Sequence, residues 1–137
     1  MTLLKEELVR DEAQRLKPYK DSVGKTTIGV GRNLDDVGVS QDEVDLMLSN
    51  DIARTTNELS SLLPWWTTLD EVRQRVIVNM AFNMGVKTLL TFTNTLKAVQ
   101  EGRYVDASQG MRASKWAEQV GPRAVRLSDM MATGAVA

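Results

Sequence analysis

The sequence predicts an α+β fold that is predominantly helical, on three observations. Residues favouring strand are confined to one short, glycine-bearing stretch near the N-terminus, 23–31. Beyond residue 40, apolar residues recur at helical spacing behind two capping-box patterns. The 137 residues suffice for one domain with a real core and are too few for two independent ones. A small N-terminal part holding the strand, a long helix and a helical remainder are therefore expected. Two lobes with a groove between them are a natural outcome, and a groove suits a polymeric substrate.

Taken in order, Leu4, Leu8 and Asp11 or Glu12 fall on adjacent helical turns, so a short amphipathic helix is expected from Leu3 to about Glu12. Lys17-Pro18-Tyr19-Lys20-Asp21 cannot continue it, because proline lacks the N–H and restrains the residue before it. Val23-Gly24-Lys25-Thr26-Thr27-Ile28-Gly29-Val30-Gly31 then favours a small hairpin or meander, and 32–39 reads as a loop. Ser40-Gln41-Asp42-Glu43 sets serine and glutamate three apart, and Val44, Met47, Leu48, Ile52, Thr55 and Leu59 follow at helical spacing. This is one long helix that ends before Pro64. Thr68-Leu69-Asp70-Glu71 opens another, with Val72, Val76, Asn79, Met80 and Asn83 on neighbouring turns and Gly85 as its stop. Shorter helices follow, punctuated by Thr93, Gly102, Gly110 and the Gly121-Pro122 break, with a last one over 123–131. Met47, Met80, Met84, Met111, Met130 and Met131 read as packing, Trp116 as core, and Trp65 and Trp66 as packed locally beside Pro64.

The chain has no cysteine and no histidine. Disulfides, thiolate metal sites, histidine-based triads and the usual zinc sites are thereby excluded. Acid–base work near neutral pH falls to carboxylates, lysines or tyrosines, and neither metal nor cofactor is expected. No apolar run approaches a bilayer span, and the start turns acidic at Glu6-Glu7 where a signal peptide needs its apolar stretch. No stable membrane insertion and no export address are expected. The net charge of −1 is unevenly spread: residues 33–71 carry nine acidic side chains against Arg54 alone, leaving sixteen basic and nine acidic residues elsewhere. Either that segment is a solvated acidic helix face, or the remainder presents a basic surface to an anionic partner. Nucleic acid is not the expected partner, given a pI of about 5.5 and no basic recognition helix. Gly29-Val30-Gly31 lacks the third glycine of a dinucleotide fingerprint and reads as backbone geometry.

Glu12 and Asp21 stand nine residues apart, at a helix end and at the start of the β region, where a turn can bring both carboxylates across a cleft. Alone this is weak, since carboxylates at element ends are commonly solvated or capping. Their surroundings are specific. Arg10-Asp11-Glu12-Ala13-Gln14-Arg15-Leu16-Lys17-Pro18-Tyr19-Lys20-Asp21, followed by Gly24 and Thr26-Thr27-Ile28-Gly29-Val30-Gly31, closely resembles the signature of the phage-type (T-even-like) lysozymes, the endolysins of glycoside hydrolase family 24. The likeness continues through Asn79-Met80-Ala81-Phe82-Asn83-Met84-Gly85, Phe92-Thr93-Asn94, Lys115-Trp116 and Pro122-Arg123-Ala124, nearly the whole chain.

The resemblance implies a lysozyme-like two-lobed fold in a single domain over 1–137. A small β-hairpin or sheet lobe at about 13–40 joins through a connecting helix at about 41–60 to a helical lobe at about 64–134, on which the first helix packs. It implies a muramidase that hydrolyses the β-1,4 bond between N-acetylmuramic acid and N-acetylglucosamine in peptidoglycan. Glu12 corresponds to the general acid, Asp21 to the second carboxylate, and Thr27 to the hydroxyl that positions the attacking water. A carboxylate activating water on the opposite sugar face predicts inversion, with the two carboxyl groups roughly 6.5–9.5 Å apart. Arg123 corresponds to a cation that approaches the acid, and Asn83, Gly31 and Phe92 to substrate-binding or site-supporting positions. Asp11 and Arg126 correspond to a second, structural acid–base pair. A monomer is implied, made in the host cytoplasm and acting on the wall in the periplasm after a separate holin opens the membrane.

The departures from the family pattern carry expectations of their own. Arg32 stands in place of a histidine paired with an aspartate, whose counterpart is Asp51, so an Arg32–Asp51 salt bridge with pH-independent charge is expected. Val23 replaces an acidic residue, removing an ion pair with Lys115. Ala13 replaces a glycine and should only stiffen the helix end. The 32–40 connection is shortened, with less sheet or loop expected, and the brief tail after Gly134 should fray. Two alternatives keep the wall as target: a lytic transglycosylase, which needs only the acid and which Asp21 and Thr27 disfavour, and a non-catalytic wall-binding module of a phage tail.

Overall fold

The computed structural model describes residues 1–136. The chain divides into two compact units, Met1–Leu48 and the residues from Ser49 onward, with the boundary inside a long helix.

The first unit opens with α1 (Thr2–Glu12), none of whose residues is buried. A three-stranded antiparallel sheet follows, ordered β1 (Arg15–Lys20), β2 (Thr26–Gly29) and β3 (Arg32–Asn33). Two of these strands fall outside the stretch expected to hold them. β1 contains Pro18, which the sheet tolerates because β1 is an edge strand and its register against β2 shifts between Arg15 and Tyr19. β3 is only two residues long, and the chain leaves it by tying the acidic loop down. The Thr26 N–H donates to Asp35 (2.8 Å), Lys25 pairs with Asp36 (3.2 Å) and Asn33 donates to Asp36 (2.8 Å). Asp35 and Asp36 are thus loop fasteners rather than part of a solvated helix face. Ala13, just past α1, has φ 62° and ψ 159° and is the only non-glycine with positive φ among the described residues. That backbone region is nearly reserved for glycine, so alanine here is strained, contrary to the mild stiffening expected.

α2 (Gln41–Leu62) begins where Ser40 and Glu43 predict, with Glu43 accepting from the Ser40 backbone N–H (2.8 Å). The second capping box does not form as written. Thr68 instead donates to the Trp65 carbonyl (2.7 Å), closing a 3-10 helix (Pro64–Thr68), and Asp70 caps α3 (Glu71–Met84) by accepting from the Arg73 N–H at 3.1 Å. Aspartate two residues later is the better-placed acceptor, and Pro64 forces the intervening turn. Gly85, with φ 88°, ends α3 as expected.

The remaining helices are α4 (Val86–Leu89), α5 (Thr93–Gln100), α6 (Tyr104–Arg112), α7 (Lys115–Val120) and α8 (Pro122–Thr133). Packed on α6, α3 and α7, α8 closes a core of Leu59, Val76, Ile77, Met80, Leu89, Met111, Leu127 and Met131. Trp66 and Trp116 are buried and Trp65 packs against the core, as expected. Met47 is the exception among the six methionines read as packing: it is 45% exposed and lines an apolar hollow of about 430 Å³ with Ile28, Val30 and Leu46. No described helix is long and apolar enough to cross a membrane.

Candidate active site

The three residues matched to the catalytic groups all belong to the first unit, and its sheet organises each one. Glu12 is the last residue of α1, and its exposed carboxylate lies over the β2–β3 turn. A Cβ on Gly31 would stand 2.9 Å from the Glu12 Oε2 and 3.2 Å from Cδ, and Gly31 has φ 72°. Glycine is therefore required there twice over, for the backbone conformation and for the close approach of the acid. No other residue leaves the Glu12 carboxylate where it is.

Asp21 begins the β1–β2 turn, one residue beyond the Lys20↔Thr26 pair. Its Oδ1 accepts from the N–H groups of Val23 (3.0 Å) and Lys25 (2.8 Å), while its own N–H donates to the Lys25 carbonyl (2.9 Å). This is an Asx turn: the carboxylate builds the hairpin and is fixed by it. Among the described residues no hydrogen bond engages Oδ2, so half of the carboxylate stays available as an acceptor. Thr27 sits on central strand β2, between Tyr19 and Asn33 in register, and is the only buried residue described in Met1–Leu48. Its hydroxyl donates to the Lys25 carbonyl (3.0 Å), which fixes the rotamer and turns the oxygen lone pairs toward any second partner. Lys25 thus anchors both groups through its backbone, a link that spacing does not announce.

The supporting positions lie in the second unit, apart from Gly31. Arg123, half-buried near the start of α8, donates to the Asn79 side-chain oxygen from Nε (2.9 Å) and Nη2 (2.7 Å) and to the Asn79 carbonyl (3.3 Å). Asn79 was read from the sequence only as a helix-face residue. The useful signal was a polar side chain at a position flanked by apolar Val76 and Met80. Asn83 accepts from the Trp116 indole N–H (2.8 Å), and Phe92 packs against the core. Within the first unit, Asp11 pairs with its neighbour Arg10 (3.2 Å).

Arg32 and Asp51, expected to pair with each other, each have a partner within their own unit. Arg32 pairs with Glu43, one turn into α2, and Asp51 pairs with Arg54 (2.9 Å). The longer guanidinium finds a carboxylate already placed by the helix cap. Glu43 is held down to about 2 by the hydrogen bond from Arg32, then by those from the Ser40 N–H and hydroxyl. Among the described residues, no cluster of three or more acidic side chains is arranged to hold a metal ion.

Comparison with known proteins identifies the family. The sequence model of the family described as phage lysozyme matches residues 9–129. Probable T4-type lysozyme 1 of Dictyostelium discoideum is 29% identical over 160 aligned residues, covering 96% of this chain and 94% of its own length. Probable T4-type lysozyme 2 of the same organism is 27% identical, with the same coverage. The pre-baseplate central spike protein Gp5 of Enterobacteria phage T4 is 29% identical over 157 residues, covering 94% of this chain but 27% of its own length. These aligned lengths exceed the 137 residues present, so the relatives carry segments that this chain lacks. The family match, on a mostly helical fold with a small antiparallel sheet, defines a lysozyme-type glycoside hydrolase. The chain belongs to the phage lysozyme family and is a peptidoglycan-cleaving enzyme.

Proposed function

We propose that this enzyme is a muramidase that hydrolyses the β-1,4 bond between N-acetylmuramic acid and N-acetylglucosamine, with inversion at the anomeric carbon. Glu12 is the general acid that protonates the glycosidic oxygen. Asp21 supports the water that attacks from the opposite face, and Thr27 orients that water by accepting its hydrogen bond. The observation that carries the reading is the fixing of these groups by one small sheet: Glu12 against Gly31, Asp21 by the turn it builds, and Thr27 by the Lys25 carbonyl. Asp21 keeps one oxygen available, as base-assisted attack by water requires. Glu12 is exposed in the free protein, so bound glycan must desolvate it to favour the protonated acid.

By their match to the family pattern, Arg123, Asn83 and Phe92 are substrate-binding or site-supporting residues. The chain acts as a monomer, made inside the host cell and reaching the periplasmic wall once a separate holin opens the membrane. Glu12→Gln assayed on purified peptidoglycan tests the central assignment. Activity should fall on the order of a hundredfold or more, with a melting temperature no lower than that of the parent, because catalytic carboxylates are often held at some cost in stability. Folded, active Glu12→Gln protein would overturn it. Mass spectrometry of the digest tests the reaction type: reducing muramic acid ends are expected, and anhydro ends would mean a transglycosylase instead.

A further inference from the structure

Strand β3 ends at Asn33, one rung before the ladder along β2 is complete. The Leu34 N–H still donates to the Thr26 carbonyl (2.7 Å), as a further rung requires. The Thr26 N–H, however, donates to a side chain, the Asp35 carboxylate, at 2.8 Å from Oδ2. Asp35 thus stands in for the strand carbonyl that β3 is too short to supply. The Thr26 N–H shares one planar peptide with the Lys25 carbonyl, so fixing the first fixes the direction of the second. That carbonyl accepts from the Asp21 N–H (2.9 Å) and from the Thr27 hydroxyl (3.0 Å). A single peptide is therefore pinned at one edge by Asp35 and aims Thr27 from the other. The pinning bond is charge-assisted, and an N–H given to an anion makes the carbonyl across the same peptide a better acceptor. Asp36, the next residue, bonds to side chains instead: the Lys25 ammonium (3.2 Å) and the Asn33 amide (2.8 Å). All these groups lie within Met1–Leu48.

We infer that Asp35 is a positioning residue for the reaction: through the Lys25–Thr26 peptide it keeps the Thr27 hydroxyl aimed at the attacking water. The inference rests on the role given to Thr27 in the muramidase reading. Thr27 is buried and Asp35 is exposed, so replacing Asp35 opens no cavity and acts on Thr27 only through the peptide between them.

The test measures kcat, KM and melting temperature, on solubilised peptidoglycan where substrate is needed, for Asp35→Ala, Asp35→Asn, Asp36→Ala and Thr27→Val, and for the double variant of Asp35→Ala with Thr27→Val. Asp35→Ala should lose on the order of tenfold in kcat with KM little changed, because a misaimed water-orienting group slows attack without weakening binding. Asp35→Asn keeps an acceptor oxygen and should return kcat to within about threefold of the parent. Asp36→Ala should melt lower and keep a near-parental kcat. In the Thr27→Val background the Asp35→Ala change should cost less than about twofold more, since the hydroxyl it aims is gone. Parental kcat in Asp35→Ala would overturn the inference. So would an equal loss in Asp36→Ala, which would make the effect one of loop order, or single losses that simply multiply in the double variant. Thr27→Val separates the two ideas. Folded and fully active, it removes the water-orienting role itself; impaired beside a fully active Asp35→Ala, it leaves that role standing and defeats Asp35 alone.

Discussion

Ala13 follows directly on Glu12 and adopts a backbone conformation that costs of order 1–3 kcal/mol for any residue but glycine. Ala13→Gly is therefore expected to stabilise the protein by about 1 kcal/mol, the relief of strain exceeding the added freedom of the unfolded chain. Thermal or urea denaturation would show it, and a lower melting temperature would mean that Ala13 is not strained. Gly31 is the converse case. It cannot accept even a methyl group without moving the Glu12 carboxylate, so the residue that carries no side chain is tied most closely to the acid.

At the scale of elements, the start of α2 couples helix capping to the sheet. Glu43 accepts from the Ser40 N–H and from Arg32 of strand β3, and its pKa falls to about 2 from an ordinary value of about 4.3. A carboxylate depressed on folding contributes stability above its unfolded pKa and loses it as pH falls through the folded one. The stability difference between the parent and Glu43→Gln should thus be constant above about pH 5 and shrink from about pH 4.3 toward pH 2. Melting curves across that range would check it; a difference changing between pH 6 and 8 would contradict the assignment. In that range an arginine–glutamate pair holds its charge where a histidine pair would titrate.

The far end of α8 is held by Arg73. Its Nε donates to the Met131 carbonyl (2.7 Å) and its Nη2 to Ala132 (3.2 Å), while the guanidinium stacks 3.6 Å from the Tyr104 ring centre and pairs with Asp70. Lysine cannot reproduce this fork, so Arg73→Lys should cost about 2 kcal/mol in urea unfolding. A cost near zero would show that the clamp is ornamental. The tail beyond α8 is thereby fastened up to Gly134, against whose Cα the Arg73 Nη1 packs so closely that a Cβ would stand 2.8 Å away.

For the molecule as a whole, stability is unevenly distributed. The buried apolar core belongs to the residues from Ser49 onward, whereas within Met1–Leu48 only Thr27 is buried among the described residues. Local opening follows local burial. Hydrogen exchange measured by mass spectrometry should show α1 and the sheet exchanging well before α3, α6 and α8. Equal protection throughout would refute this picture. The unit that carries the catalytic candidates is thus the less buried of the two, and its order rests on turn hydrogen bonds more than on packing.

The periodicity of apolar residues determined the long helix α2, the stop at Gly85 and the burial of Met80, Met111 and Met131, because a helix buries one face and that face repeats in sequence. The family resemblance picked out Glu12, Asp21, Thr27 and Gly31, and the helix end, Asx turn and glycine turn that hold them are short-range features. Strands β1 and β3 were not legible: Pro18 argues against a strand unless an edge and a shifted register are available, and two residues make no pattern. Pairing of charges was not legible either. Arg32 takes Glu43, and Asp11 is taken by Arg10, because a long flexible cation pairs with whichever carboxylate the backbone has already fixed nearby. The grip of Asn79 on Arg123, forty-four residues apart, belongs to the same class. Sequence alone determined which groups are present and which elements carry them; the tertiary structure decided which groups meet, because that depends on how helices distant in sequence pack.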